Sequence, residues 1–183
     1  MENTLVSPHA NYAGNEANNR LRMFFIDSLK DIYYAEQHLV DALETLSNRA
    51  TTSDLKNAFM EHRGVTEGHV TRLERVFNSL GEEPDTKKCY AIKGIISEAD
   101  SIINDTANDT LTRDAALILA AQKAEHYEIA TYGTLVQFAK VLGEPEAASL
   151  LTETLNEEKE ADSTLTEIAE SFVNMHASQE MEA

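Results

Sequence analysis

The chain has 183 residues, enough for one domain with a sizeable core, and 42% of them are apolar with only seven Gly and three Pro. That composition favours a helical globular protein over disorder or an all-β fold. The formal net charge of −17, from 32 acids against 15 bases, repels nucleic acid and anionic membranes, so neither is expected as a partner. Cys89 is the single cysteine, which leaves no intrachain disulfide and no thiolate-rich zinc site, and points to a reducing compartment.

The opening stretch MENTLVSPHANYAGNEANNR has neither a basic n-region nor an apolar h-region and is not expected to be a signal peptide. Rich in Asn, Ala and Gly, residues 1–19 are expected to form a mobile arm. Residues 20–173 then carry four long amphipathic segments and a shorter one. The breaks fall at Arg49–Ser53, Gly81–Lys87, Asn104–Thr112 and Gly143–Pro145. Ser53 and Thr112 are the expected N-caps, and Gly143 before Glu144-Pro145 is a stop and restart. The short segment, roughly Lys88 to Ile103, lies within the long connection between the second and third long helices. Residues 174–183, NMHASQEMEA, are expected to fray. No run of eighteen apolar residues occurs, and a soluble, cytoplasmic protein is expected.

Two helical hairpins joined by one long crossover make the all-α, ferritin-like form of the four-helix bundle. Steps of three and four residues trace each core stripe. The first runs Phe25, Leu29, Ile32, Glu36, Leu39, Leu43, Leu46. The second runs Leu55, Phe59, His62, Thr66, His69, Leu73, Val76, Leu80. The third runs Ile118, Ala121, Glu125, Glu128, Tyr132, Leu135, Ala139, Leu142. The fourth runs Leu151, Thr154, Glu158, then Ala161 or Asp162, then Leu165, Ile168, Phe172. Every stripe is apolar at its ends and polar in its middle.

The heights match. Glu36 lies about twelve residues before the first short loop and His62 to Thr66 about eight to twelve after it; Glu128 and Glu158 lie about fourteen and twelve residues from the other. At a rise of about 1.5 Å per residue these positions fall within a turn or two of one another. The candidate layer is therefore Glu36, His62, Glu125, Glu128 and Glu158, with Asp162 on the alternative phase of the fourth stripe and His69 nearer the end of the bundle. No Lys or Arg occupies the stripes at that level. Buried, unpaired carboxylates cost several kcal/mol or take up protons. Two divalent metal ions bridged by carboxylates would relieve both desolvation and mutual repulsion. An oxygen-rich set with one or two imidazoles suits iron or manganese, iron ahead.

The segments DIYYAEQHL, AFMEHRGVTEGHVTRLERVF, RDAALILAAQKAEHYEIATYGTL and LLTETLNEEKEADSTLTEIA resemble the YciE/YciF ferritin-like family, over roughly residues 20 to 173. The resemblance implies a ferritin-like bundle, usually a homodimer, associated with bacterial stress responses and with metal binding. It places Glu36, His62, Glu125, Glu128, Glu158 and Asp162 at the family's recurring polar positions. The chain departs from the family pattern after its histidine, where Leu-Glu-Glu-Thr is replaced by Arg63-Gly64-Val65-Thr66. The Glu-x-x-His pair of ferritins and manganese catalases is absent as well. Three functions follow as expectations: a dinuclear metal enzyme acting on oxygen or peroxide, a metal-stabilised structural stress protein, and a metal-free helical interaction module.

Overall fold

The computed structural model describes residues 19–181; the arm expected over residues 1–19 lies, apart from Asn19, outside the described residues. Helix α1 spans Arg20–Arg49, α2 Ser53–Ser79, α3 Tyr90–Asp105, α4 Leu111–Leu142 and α5 Pro145–Ile168. A π-helical segment, Ala169–Val173, and a last helix α6, Asn174–Ala177, continue α5. Hairpins α1–α2 and α4–α5 pack side by side, with α2 against α5 and α1 against α4, and α3 lies across α4 and α1. The described residues contain no strand and no helix long and apolar enough to cross a membrane.

Local chemistry explains the boundaries. Asn19 caps α1 by accepting the N–H of Leu21 (2.9 Å). The cap of α2 is Thr52, one residue before the expected Ser53, and that of α4 is Thr110, two before the expected Thr112. In place of capping, Thr112 binds the C-terminal segment: Glu180 accepts from the backbone N–H groups of Leu111 (2.7 Å) and Thr112 (2.8 Å) and from the Thr112 hydroxyl. A carboxylate there meets the positive end of α4. The segment expected to fray from Asn174 is thus helical to Ala177. Gly143, at φ 77°, closes α4 in the left-handed conformation, and Pro145 starts α5.

The crossover helix is fixed at both ends. Cys89 accepts the N–H of Ile92 (3.4 Å) and lies 3.1 Å from the Tyr127 hydroxyl, which donates to Asp31 (3.1 Å). At the other end, buried Arg113 donates to the Ile103 carbonyl (2.6 Å) and to Thr106 Oγ1 (3.0 Å).

Two apolar clusters fill the bundle, one around Phe25, Leu29, Ile32, Leu73 and Leu135, the other around Leu46, Leu55, Phe59, Ile118 and Leu165. Each fully buried Leu or Phe contributes about 1.5–3 kcal/mol. The stripes fall where the spacing puts them except at the end of the fourth. The π segment widens the turn, so Ala169 and Val173 are buried and Phe172, expected inside, is 46% exposed.

Asp114, fully buried on α4, anchors the first loop by accepting the N–H groups of Thr51 (2.6 Å) and Thr52 (2.9 Å). Asp114→Ala leaves both donors unpaired and should cost about 2–4 kcal/mol, measured by chemical unfolding. A loss under about 0.5 kcal/mol would show that water replaces the carboxylate.

Candidate metal centre

Four helices deliver polar side chains to the level between the two apolar clusters. On α1, Glu36 follows Ile32 on the buried stripe and is itself fully buried. On α2, His62 and His69 are seven residues apart, two turns on one face, and their rings stand 6.4 Å apart. Helix α4 supplies Glu125 and Glu128, each 2% exposed, and α5 supplies Glu158, fully buried.

These side chains form two groups whose ligand-type atoms lie within 4.8 Å of one another: Glu36, His69 and Glu158, and His62, Glu125 and Glu158. His69 Nδ1 is 3.0 Å from Glu158 Oε1 and 3.5 Å from Glu36 Oε2. His62 Nε2 is 3.3 Å from Glu125 Oε1 and 3.6 Å from Glu158 Oε2. Glu158 belongs to both groups, turning one oxygen to each histidine.

The contacts are close yet mostly not aligned as hydrogen bonds. Glu36 Oε2, His69 Nδ1, Glu125 Oε2, Glu128 Oε1 and both Glu158 oxygens are buried without a hydrogen-bond partner among the described residues. Buried polar atoms are otherwise almost always paired. Unpartnered oxygen and nitrogen atoms within these two groups fit a divalent cation, and a mixed carboxylate–imidazole set fits iron or manganese.

Titration behaviour reports the same crowding. Burial, followed by the charges of Glu158, Glu36 and Glu125, pushes Glu128 well above the usual carboxylate range. Burial also raises Glu158, to about 7, against the opposing pull of His69. Burial alone would depress both histidines. The adjoining Glu158 and Glu36 instead raise His69 to about 10, and Glu125 and Glu158 raise His62. In the metal-free chain, protons supply the compensating charge, and a metal ion would displace them.

The surroundings orient these groups. His69 Nε2–H donates to Glu157 (3.0 Å), leaving Nδ1 to face the layer. Glu157 is held in turn by Arg72 at 2.5 and 3.1 Å, and Arg72 also donates to Thr154 (2.8 Å). Tyr132, fully buried, donates its hydroxyl to Glu36 Oε1, which leaves Oε2 free.

Of the sequence candidates, Glu36, His62, Glu125 and Glu158 join these groups, and Glu128 sits beside them. Asp162 does not: it accepts from Gln122 (3.2 Å) and lies 3.4 Å from the exposed His126. His69 lies within the layer, although its stripe position places it nearer the bundle end. Tyr132 lies on the third stripe, where its supporting role looks like packing, and Arg72 and Glu157 lie beside the stripes and carry no stripe signature.

Residues 20–178 match the family model described as "Domain of unknown function (DUF892)". The chain is 45% identical over 154 residues to protein YciF of Escherichia coli K12, covering 84% of this chain and 92% of that protein. It superposes on the crystal structure of the E. coli stress protein YciF with a TM-score of 0.80 at 43% identity, over 84% of this chain and 97% of the other. A second solved structure, described as "a putative structural protein" from Rhodopseudomonas palustris, gives 0.79 at 40% identity, over 81% and 94%. A two-domain Anabaena variabilis protein with a ferritin-like domain matches at 0.63 and 18% identity, over 87% of this chain and 40% of that one, a likeness of fold alone. On these matches, the ferritin-like bundle described above belongs to the DUF892 family, together with YciF.

Proposed function

We propose that this protein holds two divalent transition-metal ions, iron ahead of manganese, in its central layer and serves in stress protection as a cytoplasmic homodimer. One ion is assigned to Glu36, His69 and Glu158, the other to His62, Glu125 and Glu158, with Glu128 as a further carboxylate. The observation that carries this reading is the pair of groups, Glu36–His69–Glu158 and His62–Glu125–Glu158, whose ligand-type atoms lie within 4.8 Å of one another and include buried oxygens and a ring nitrogen without a hydrogen-bond partner among the described residues. The stress role draws on the description of the E. coli relative as a stress protein.

Bound redox-active ions would supply electrons to dioxygen or peroxide. The chain's own contribution is positional. Glu158 presents one oxygen to each side, Tyr132 fixes the rotamer of Glu36, and the Arg72–Glu157 pair fixes His69. The apolar clusters above and below help to shield the fully buried Glu36, His69 and Glu158 from bulk water, so their charges act in a low dielectric. A second reading, a non-catalytic structural protein, is favoured by the structural description that the Rhodopseudomonas relative carries. The two part on turnover: sustained peroxide or oxygen consumption by iron(II)- or manganese(II)-loaded protein belongs to the first alone.

Ions that bind only the assembled layer stabilise it by mass action, about 3–4 kcal/mol at roughly 100 to 1,000 times Kd. Chelation should therefore lower the thermal midpoint by about 10 °C for a chain of this size. An unchanged midpoint in protein shown to have lost its metal would remove the argument from charge.

The departure at the centre of α2 gives a sharper outcome. Val65, 38% exposed, borders the same cavity as His62 and Glu125, where the family pattern has an acid. The His62 side should hold its ion more weakly, with water completing the ligand set. Val65→Glu should tighten that position on the order of tenfold and bring loading to two, in a metal titration by calorimetry. Two equally tight sites in the unmodified protein, or no gain from the added carboxylate, would show that α2 needs no further ligand.

A further inference from the structure

The central layer can be approached from two sides. Beneath α3 lies a cavity of about 30 Å³ whose walls, apart from His62, Glu125 and Glu128, are alkyl groups such as Leu39, Ile96 and Ala120. A hydrated cation would have to shed its water along the alkyl walls before His62, Glu125 or Glu128 could replace it. Between α2 and α5 lies a larger cavity, of about 200 Å³. Its lining includes His62 and Glu125 at the layer and the exposed carboxylates Glu61 and Glu160, so it connects solvent with the core. Small side chains, Val65 and Ala161, leave the passage open.

Its charge is one-sided. Among the described residues no Lys or Arg lines it. Arg63, next to His62, is directed to Glu44 (3.7 Å) and Glu67 (2.9 Å). Glu157 also borders the cavity but is committed to Arg72 and His69, which leaves Glu61 and Glu160 as the carboxylates available at the outer end. At the inner end, Glu125 is 2% exposed and its Oε2 has no partner. An acid-lined passage with low-dielectric walls focuses field and concentrates cations.

We propose that hydrated divalent cations enter the core through this cavity, meeting Glu61 and Glu160 first and passing to Glu125 and His62. The proposal rests on the metal-binding reading above and adds a path and two residues that act on the rate of loading rather than on the final occupancy. No covalent or redox step is involved; the ion exchanges water for carboxylate oxygen as it moves inward.

Cobalt(II) is a suitable probe, because its visible absorption reports ligation. Stopped-flow loading is compared for the metal-stripped protein, for Glu61→Gln/Glu160→Gln, and for a control with two other exposed acids changed, Glu83→Gln/Glu146→Gln. At about 10 mM salt the double variant should load about tenfold more slowly than either comparison. At about 0.5 M salt the gap should close, and the equilibrium stoichiometry should be the same for all three. Equal rates at low salt, a gap that persists at high salt, or a lower endpoint in the double variant would each overturn the route while leaving the metal centre standing. Absence of any cobalt signal from the unmodified protein would overturn the centre and the route together.

Discussion

Putting carboxylates from three helices into one buried layer sets the terms for everything else in this bundle. Glu36, Glu125, Glu128 and Glu158 are all at most 2% exposed, and the desolvation cost of such charges can exceed what attraction to two imidazoles returns. Compensation has to come from inside, since the neighbouring layers are hydrocarbon. In the metal-free chain it comes from protons, held by Glu128 and by His69. Divalent ions would do the same with stronger charge, taking up the lone pairs that lack hydrogen-bond partners.

The remaining architecture holds that layer in place. Two apolar clusters clamp it from either end, and their burial offsets the electrostatic cost. Tyr132 takes up one oxygen of Glu36, and Glu157 takes up the outer nitrogen of His69 with Arg72 behind it. What remains free on these side chains is the inward-facing atom in each case. Asp114 and Glu180 secure the same end of the bundle, one holding the first loop, the other the start of α4. The layer's geometry is thus set by packing and by hydrogen bonds to the outer atoms of its own side chains, as a preformed ligand set requires.

Much of this is legible in the sequence because helical periodicity is a strong signal. The stripes locate Glu36, Glu125, Glu128 and Glu158 inside, and Gly143-Glu144-Pro145 marks the second hairpin turn. The exceptions have identifiable causes. Phe172 lies outside because a π segment breaks the 3.6-residue period, and no local residue announces such a break. Thr110 rather than Thr112 caps α4, while Glu180, far along the chain, claims Thr112. Asp162 and Ala161 are equivalent by phase, and a hydrogen bond from Gln122 settles Asp162 on the α4 side. Arg72 stands off the stripe, and only its length lets it reach Glu157. Side chains that reach across helices leave no periodic trace.

Val65 stands where an acid is expected and opens the cavity toward His62, whereas the Glu36–His69–Glu158 group is fully buried. The two halves of the layer are therefore chemically unequal. Whether metal ions occupy them is tested most directly by elemental mass spectrometry on protein purified without added metal or chelator. Between one and two iron or manganese ions per folded chain are expected, matching the two ligand groups. A folded protein carrying no transition metal, and taking up none when it is offered, would contradict the assignment of this layer as a metal centre.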